Sequence, residues 1–201
     1  MLLSKDSSDF GISLRAGAQE NDFTLYRWRL LEPIPSSVTT SRIMLRLAKA
    51  IEYLHSIGVV LHHQFASHHV FLGSDLCPRI CCSCSISRSL NKECKELFSP
   101  DDNIFSFGCL FYELYSGIDT RPNHSISSRR HVVTERPSVQ EIPEYAWQLI
   151  QRCCAEDPKS RPSIDEVVKE MEEWHSFSRQ GWASLRALYS VLSDLGRNWR
   201  Q

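Results

Sequence analysis

Arg152-Cys153-Cys154-Ala155-Glu156-Asp157-Pro158-Lys159-Ser160-Arg161-Pro162-Ser163 joins two helices within twelve residues. Upstream of it, Pro143-Glu144 opens a helix that runs through Cys154. Downstream, Ser163-Ile164-Asp165-Glu166 directly after Pro162 is a capping box, in which hydroxyl and carboxylate satisfy each other's backbone N–H. The helix it opens carries Val167, Val168 and Met171 on one face. Further back, Pro100-Asp101-Asp102 starts a helix from Ile104 to Tyr115 with Phe105, Phe107, Leu110, Phe111 and Leu114 on nearly every face. Such an all-round apolar pattern marks a helix buried at the centre of a helical domain, and Gly117 stops it. Earlier still, Ile43, Met44, Leu47, Ala48, Ile51 and Leu54 predict an amphipathic helix from Ser41 to Ser56-Ile57, with Gly58 as its left-handed cap. Between these helices lie short apolar runs, Val59-Leu61, Val70-Leu72 and Arg79-Cys81, bounded by Gly73-Ser74-Asp75 and Pro78. They are too short for helices and predict small strands of a hairpin. Residues 85–100 and 118–142 read as loops. The last twenty-odd residues, with Trp182, Leu185, Leu188, Tyr189, Leu192 and Leu195, predict a further amphipathic helix.

The whole chain has 201 residues, 42% hydrophobic and 23% charged, with Lys+Arg 23 against Asp+Glu 24 and a net charge of -1. That is the length and composition of one globular domain. The charge balance provides no field for nucleic acid or anionic lipid, so neither a nucleic-acid nor a membrane partner is expected. The start, MLLSKDSSDF, lacks the apolar core of a signal peptide, and no stretch approaches the ~18 apolar residues of a membrane span. Eight cysteines without a secretory signal read as free thiols in a reducing, cytoplasmic setting.

The order of these pieces, with the residues at their joints, resembles the C-terminal lobe of a protein kinase. Arg152 to Ser163 closely matches the C-W-x-x-D-P-x-x-R-P-S signature of tyrosine-kinase-like families. Asn103-Ile104-Phe105-Ser106-Phe107-Gly108 is similar to the D-V-Y-S-F-G opening of the central kinase helix. The helix ending Ala50-Ile51-Glu52-Tyr53-Leu54-His55-Ser56-Ile57-Gly58 looks like the one leading into the catalytic loop. Where kinases carry H-R-D-L-x-x-x-N, this chain has His62-His63-Gln64-Phe65-Ala66-Ser67-His68-His69. Thirteen residues beyond His69, Cys82-Ser83-Cys84 stands in place of the metal-binding D-F-G. The resemblance covers roughly residues 25–175.

Its departures bear on chemistry. Phosphoryl transfer needs a residue to orient the attacking hydroxyl, and oxygen ligands to hold magnesium on the phosphates. The resemblance puts Gln64 at the loop Asp, His69 at the loop Asn and Cys82 at the metal-binding Asp. Imidazole and thiol suit zinc or copper(I) rather than magnesium. No glycine-rich loop, V-A-I-K lysine or A-P-E motif is found, and about forty residues precede the first core helix, too few for an N-lobe. Among structural positions, the resemblance singles out Asn103, Asp157 and Arg161. It implies a buried ion pair for Arg161, with Glu93 or Glu96 as the acid; solvation of the guanidinium is the alternative.

Two features remain open to two readings. His69 and Cys82, with Cys84 or His68 as third ligand, form a weak candidate zinc site; the other reading is drifted positions of a former magnesium site. The histidine cluster and Cys77, Cys81, Cys82 and Cys84 lack the usual spacing of closed zinc sites. Trp174, Trp182, Trp199, Phe177 and Tyr189 either pack the C-terminal helix on the lobe or offer a partner surface.

The fold expected is therefore mainly α: a protein-kinase-like C-lobe with a small β hairpin, its N-lobe largely absent. Its parts are a loose segment 1–24, the lobe 25–175, and a C-terminal helix 176–201 packed on or extending the lobe. The function expected is a non-catalytic, pseudokinase-like module that binds or scaffolds other proteins, without cofactor, metal or enzymatic activity. The alternative is a fragment or divergent form of a serine/threonine or tyrosine protein kinase, an ATP-dependent phosphotransferase.

Overall fold

A computed structural model of the chain describes residues 23–31, 35–61, 66–73, 75–80, 86–87, 99–117, 133, 136 and 142–176. Phe23–Thr24 form strand β1 and lead directly into helix α1, Leu25–Leu31. The Thr24 hydroxyl accepts from the Arg27 N–H at 3.1 Å, satisfying a first-turn donor. Hydrophobic periodicity does not announce a seven-residue helix; α1 is held by burial of Leu25, which is fully covered.

Helix α2, Ser37–Ser56, begins four residues before the expected start at Ser41. The Ser36 hydroxyl caps it, accepting from the Thr39 N–H at 3.1 Å. The opening turn carries Val38 facing solvent, so the apolar pattern starts later than the helix. At the other end Gly58 takes φ +74° and its N–H bonds to His55 O, the left-handed exit that the sequence predicted.

The expected hairpin is present. β3 (Val70–Leu72) and β4 (Pro78–Ile80) pair antiparallel, with Val70 opposite Ile80 and Leu72 opposite Pro78. β1 completes this sheet on the far edge of β3, Phe23 opposite Leu72. The first apolar run, Val59-Leu61, does not join it. β2 (Val60–Leu61) pairs with β5 (Ile86–Ser87) in a separate two-stranded sheet, because the backbone of Leu61 is held beside the central helix.

That helix, α3 (Pro100–Ser116), is capped reciprocally: Ser99 Oγ accepts from Asp102 N–H, and Asp102 Oδ2 accepts from Ser99 N–H at 3.1 Å. Gly117, at φ +68°, ends it. Phe107 is 0% and Leu110 1% exposed, as an all-round apolar helix requires. Phe107, Phe111 and Tyr115 stack in succession, ring centroids 6.0 and 5.5 Å apart. Burying one such phenylalanine contributes roughly 1.5–3 kcal/mol. α2 packs against α3, and so does α4 (Glu144–Cys153). The approach of α4 is close enough that a Cβ on Gly108 would lie 2.7 Å from both Cys153 Cβ and Cys154 Sγ. The last described helix, α5 (164–176), opens on the expected capping box: Ser163 N–H donates to Glu166 Oε2 at 2.8 Å. Val167 and Met171 on α5 are fully buried.

Most of the expected N-terminal segment, the end of the hairpin at Cys81 and Cys82, and the C-terminal helix with Trp182, Tyr189 and Trp199 lie outside the described residues. Among those described, Cys77, Cys109, Cys153 and Cys154 are free thiols, and no helix is long and apolar enough to cross a membrane.

Candidate functional site

Asn103 organises the site from the first turns of α3. Its side chain is fully buried and grips one residue by both backbone groups. Oδ1 accepts from Leu61 N–H and Nδ2 donates to Leu61 O, each at 2.9 Å. Leu61 immediately precedes the 62–69 stretch, so this two-point grip fixes where that stretch leaves the helical core. Because Leu61 dictates which way the amide points, His55 must donate to Oδ1 through Nε2–H, at 3.0 Å. The end of α2, the start of α3 and the entry to the loop thus share one amide.

At the exit of the loop, residues 67–69 form a 3-10 turn. His69 N–H donates to Ala66 O at 2.9 Å, and Ala66 N–H donates to His69 Nδ1 at 3.3 Å, so backbone and side chain close the same turn. The imidazole of His68 lies against that of His69, centroids 3.8 Å apart. Beneath the turn, the Ser67 hydroxyl donates to Glu113 Oε1 at 2.7 Å. Arg29 of α1 reaches the same oxygen at 3.1 Å, with side-chain exposures of 7% and 1% for arginine and acid.

The Arg161 side chain is 5% exposed, and among the described residues its partners are chiefly backbone carbonyls. Nε donates to Ala155 O at 2.9 Å and Nη1 to Asp101 O at 3.0 Å, with Asp102 Oδ1 at 3.9 Å. The guanidinium also lies over the Phe105 ring, 4.9 Å from its centroid. It therefore ties the α4–α5 connection to the foot of α3. The expected acids Glu93 and Glu96 lie outside the described residues. Asp157 is a turn cap, accepting from Lys159 N–H and Ser160 Oγ at 3.1 Å.

His62, His63, Gln64, Cys82, Ser83 and Cys84 also lie outside the described residues, so the His69–Cys82 pairing is not measured. Among the described residues no three His, Cys, Asp or Glu side chains are placed to hold a metal ion. The residues that sequence reasoning missed are Glu113, Ser67, Arg29 and His55. Glu113 had a readable signal: an acid on a helix otherwise apolar all round must find a partner. Ser67 and Arg29 carried none, since each gains its role only from where the chain brings it.

Residues 90–171 match the family described as protein tyrosine and serine/threonine kinase. That stretch thus matches the protein kinase superfamily, and the chain has kinase relatives at low identity. It is 26% identical over 193 residues to "Protein kinase and PP2C-like domain-containing protein" of Arabidopsis thaliana, covering 69% of this chain and 29% of that protein. With "Probable serine/threonine-protein kinase BSK3" of Oryza sativa subsp. japonica it shares 26% identity, over 65% of this chain and 31% of the other. With "Serine/threonine/tyrosine-protein kinase HT1" of Arabidopsis thaliana it shares 23%, over 75% and 44%. The chain thus spans between 29% and 44% of the length of these curated relatives.

These similarities correct one expectation. Absence of enzymatic activity was inferred from Gln64, His69 and Cys82 at three catalytic positions. Proteins named as kinases nonetheless align over up to 76% of the chain, and a stretch that long within 201 residues cannot avoid residues 62–84. The expected absence of enzymatic activity is therefore overturned by relatives that are themselves named as kinases.

Proposed function

We propose that the chain is the helical part, residues 25–175, of a divergent protein kinase that transfers phosphate from ATP to a protein hydroxyl. The observation that carries this reading is the Asn103 grip on Leu61. The central helix holds Leu61 by two hydrogen bonds of 2.9 Å, directly before the 62–69 stretch that resembles the kinase catalytic loop. In this reading the bond between the γ-phosphoryl group and ADP breaks as the hydroxyl oxygen bonds to phosphorus; Gln64 orients that hydroxyl by hydrogen bonding, and the hydroxyl proton passes to the transferred phosphoryl group. Magnesium takes oxygen ligands, and the imidazole of His69 with the thiol of Cys82 is a poor match for it. No step is therefore assigned to a metal at those two residues. Turnover well below that of a kinase with the full motif set follows, since each missing catalytic member lowers the rate by orders of magnitude.

Transfer of labelled γ-phosphate from ATP to a generic peptide, with magnesium and with manganese, tests the reading on the whole chain. The expected result is slow turnover abolished by Gln64→Ala. ATP at ~100 times its dissociation constant should also add about 2.7 kcal/mol of stability. No transfer and no ATP-dependent rise in melting temperature would overturn the kinase reading. A second reading, docking of other proteins by the same domain, is favoured by the non-family residues at 64, 69 and 82. Transfer lost while partner capture is retained would point there.

A further inference from the structure

We propose that Glu113 is the positioning residue for the 66–69 turn, acting through Ser67, with Arg29 of α1 as its counter-charge. It deepens the kinase reading, which supplies only the assignment of His69 to the position of a metal-ligating asparagine.

The argument starts from cost. A carboxylate at 1% exposure inside an apolar helix is expensive to bury, and a well-packed apolar side chain would serve the core as well or better. What an apolar side chain cannot do is accept a hydrogen bond. Glu113 Oε1 accepts one from Ser67 Oγ at 2.7 Å, a direct hydroxyl–carboxyl hydrogen bond. Ser67 is fully buried and lies between the two residues whose bonds close the turn. Ala66 donates its N–H to His69 Nδ1, and His69 donates its own N–H to Ala66 O. A rigid path therefore runs from the α3 backbone through Glu113 and Ser67 to the ring of His69. Its consequence is chemical as well as spatial: with Nδ1 accepting from Ala66, the neutral imidazole carries its proton on Nε2.

Arg29 makes the burial tolerable. Its guanidinium lies 3.1 Å from the same carboxylate oxygen, and it comes from the helix that packs against the 3-10 turn. β1, immediately before α1, pairs with β3, immediately after the turn. The segment 23–31 therefore touches the 66–72 unit by strand pairing and by the packing of α1 on the turn, while its ion pair holds the Glu113 to which Ser67 bonds.

The test is imidazole 15N–1H correlation spectroscopy on the whole chain near pH 8, with no nucleotide present. The intact protein should show His69 as a single tautomer, protonated on Nε2. His55, whose Nε2–H is held by Asn103, serves as an internal control. Ser67→Ala should turn His69 into an average of two tautomers while His55 keeps its signature. The double substitution Arg29→Met with Glu113→Leu, which replaces the ion pair by apolar groups, should do the same. An unchanged His69 tautomer in both variants would overturn the proposal. So would loss of the His55 signature along with that of His69, because Ser67 and Glu113 would then be supports of the whole fold. Failure of phosphate transfer leaves these spectra unaffected, so the two readings fail separately.

Discussion

Single residues in this domain work by satisfying backbone groups, and Asn103 is the clearest case. Asn103→Asp would exchange the Nδ2 donor to Leu61 O for a second acceptor and set a carboxylate against His55. The variant should lose about 1–3 kcal/mol by stranding the Leu61 carbonyl, read as a lower urea midpoint; an unchanged midpoint would refute the two-point grip. Leu76 supplies a second test at this scale. It is half-buried at φ +56°, a left-handed conformation that strains a branched side chain by roughly 1–2 kcal/mol. At ordinary positions Gly is worse than Ala by roughly 0.5–1 kcal/mol. Here the order should invert, Leu76→Gly showing the higher urea midpoint of the two, since Ala loses the packing and keeps the strain.

Pairs of elements meet at two places where a small change should be felt. Gly108 lets α3 and α4 approach, so Gly108→Ala would press its methyl against Cys153 Cβ, an atom fixed to the α4 backbone. In an open helix the same change gains about 1 kcal/mol. Here we expect a loss of about 1–3 kcal/mol from overpacking, read as a lower denaturant midpoint. A gain would mean that the seam is looser than the structure has it. At the foot of α3, Arg161 spans Ala155 O and Asp101 O with one planar fork. Arg161→Lys offers a single ammonium that cannot reproduce this geometry. It should cost about 1–3 kcal/mol by stranding a buried carbonyl, and a neutral result would show that the fork is dispensable. Both seams were partly legible. The 152–163 stretch placed Arg161 in the fold, and its burial was expected. Its partners were not, because backbone carbonyls leave no trace in side-chain identity.

For the molecule as a whole, two carboxylates give stability opposite dependences on pH. Glu52, on α2, is raised above the ordinary carboxylate range, first by burial and then by Asp165 and Glu172 of α5, with Lys49 opposing. The folded state therefore holds that proton more tightly, and its contribution grows as pH falls from neutral through the raised value. Glu166 is lowered, first by the backbone and then by the hydroxyl bond of Ser163, so its contribution is present at neutral pH and lost on acidification below the ordinary carboxylate range. Urea midpoints should reflect this: Glu52→Gln flattens the curve between pH 7 and pH 5, and Glu166→Gln flattens it only at lower pH. A Glu52→Gln curve that matches the parent's would show that the α2–α5 acids do not interact.

What the sequence determined by itself was helices α2 to α5 and several of their ends, while α1 and the Ser36 and Ser99 caps were not read from it. Apolar spacing and the residues Gly58, Gly117 and Ser163 act within a turn or two of chain, where local geometry is enough. The buried character of α3 was legible for the same reason, since apolar residues on every face leave no side for water. The β2–β5 pairing, the Arg29–Glu113–Ser67 cluster and the His55–Asn103–Leu61 grip were decided by the tertiary structure. Each rests on contacts between residues 25 to 84 positions apart, and a partner at that distance is chosen by which helices pack together. A buried polar group announces in sequence that it needs a partner; only the packed chain selects which one.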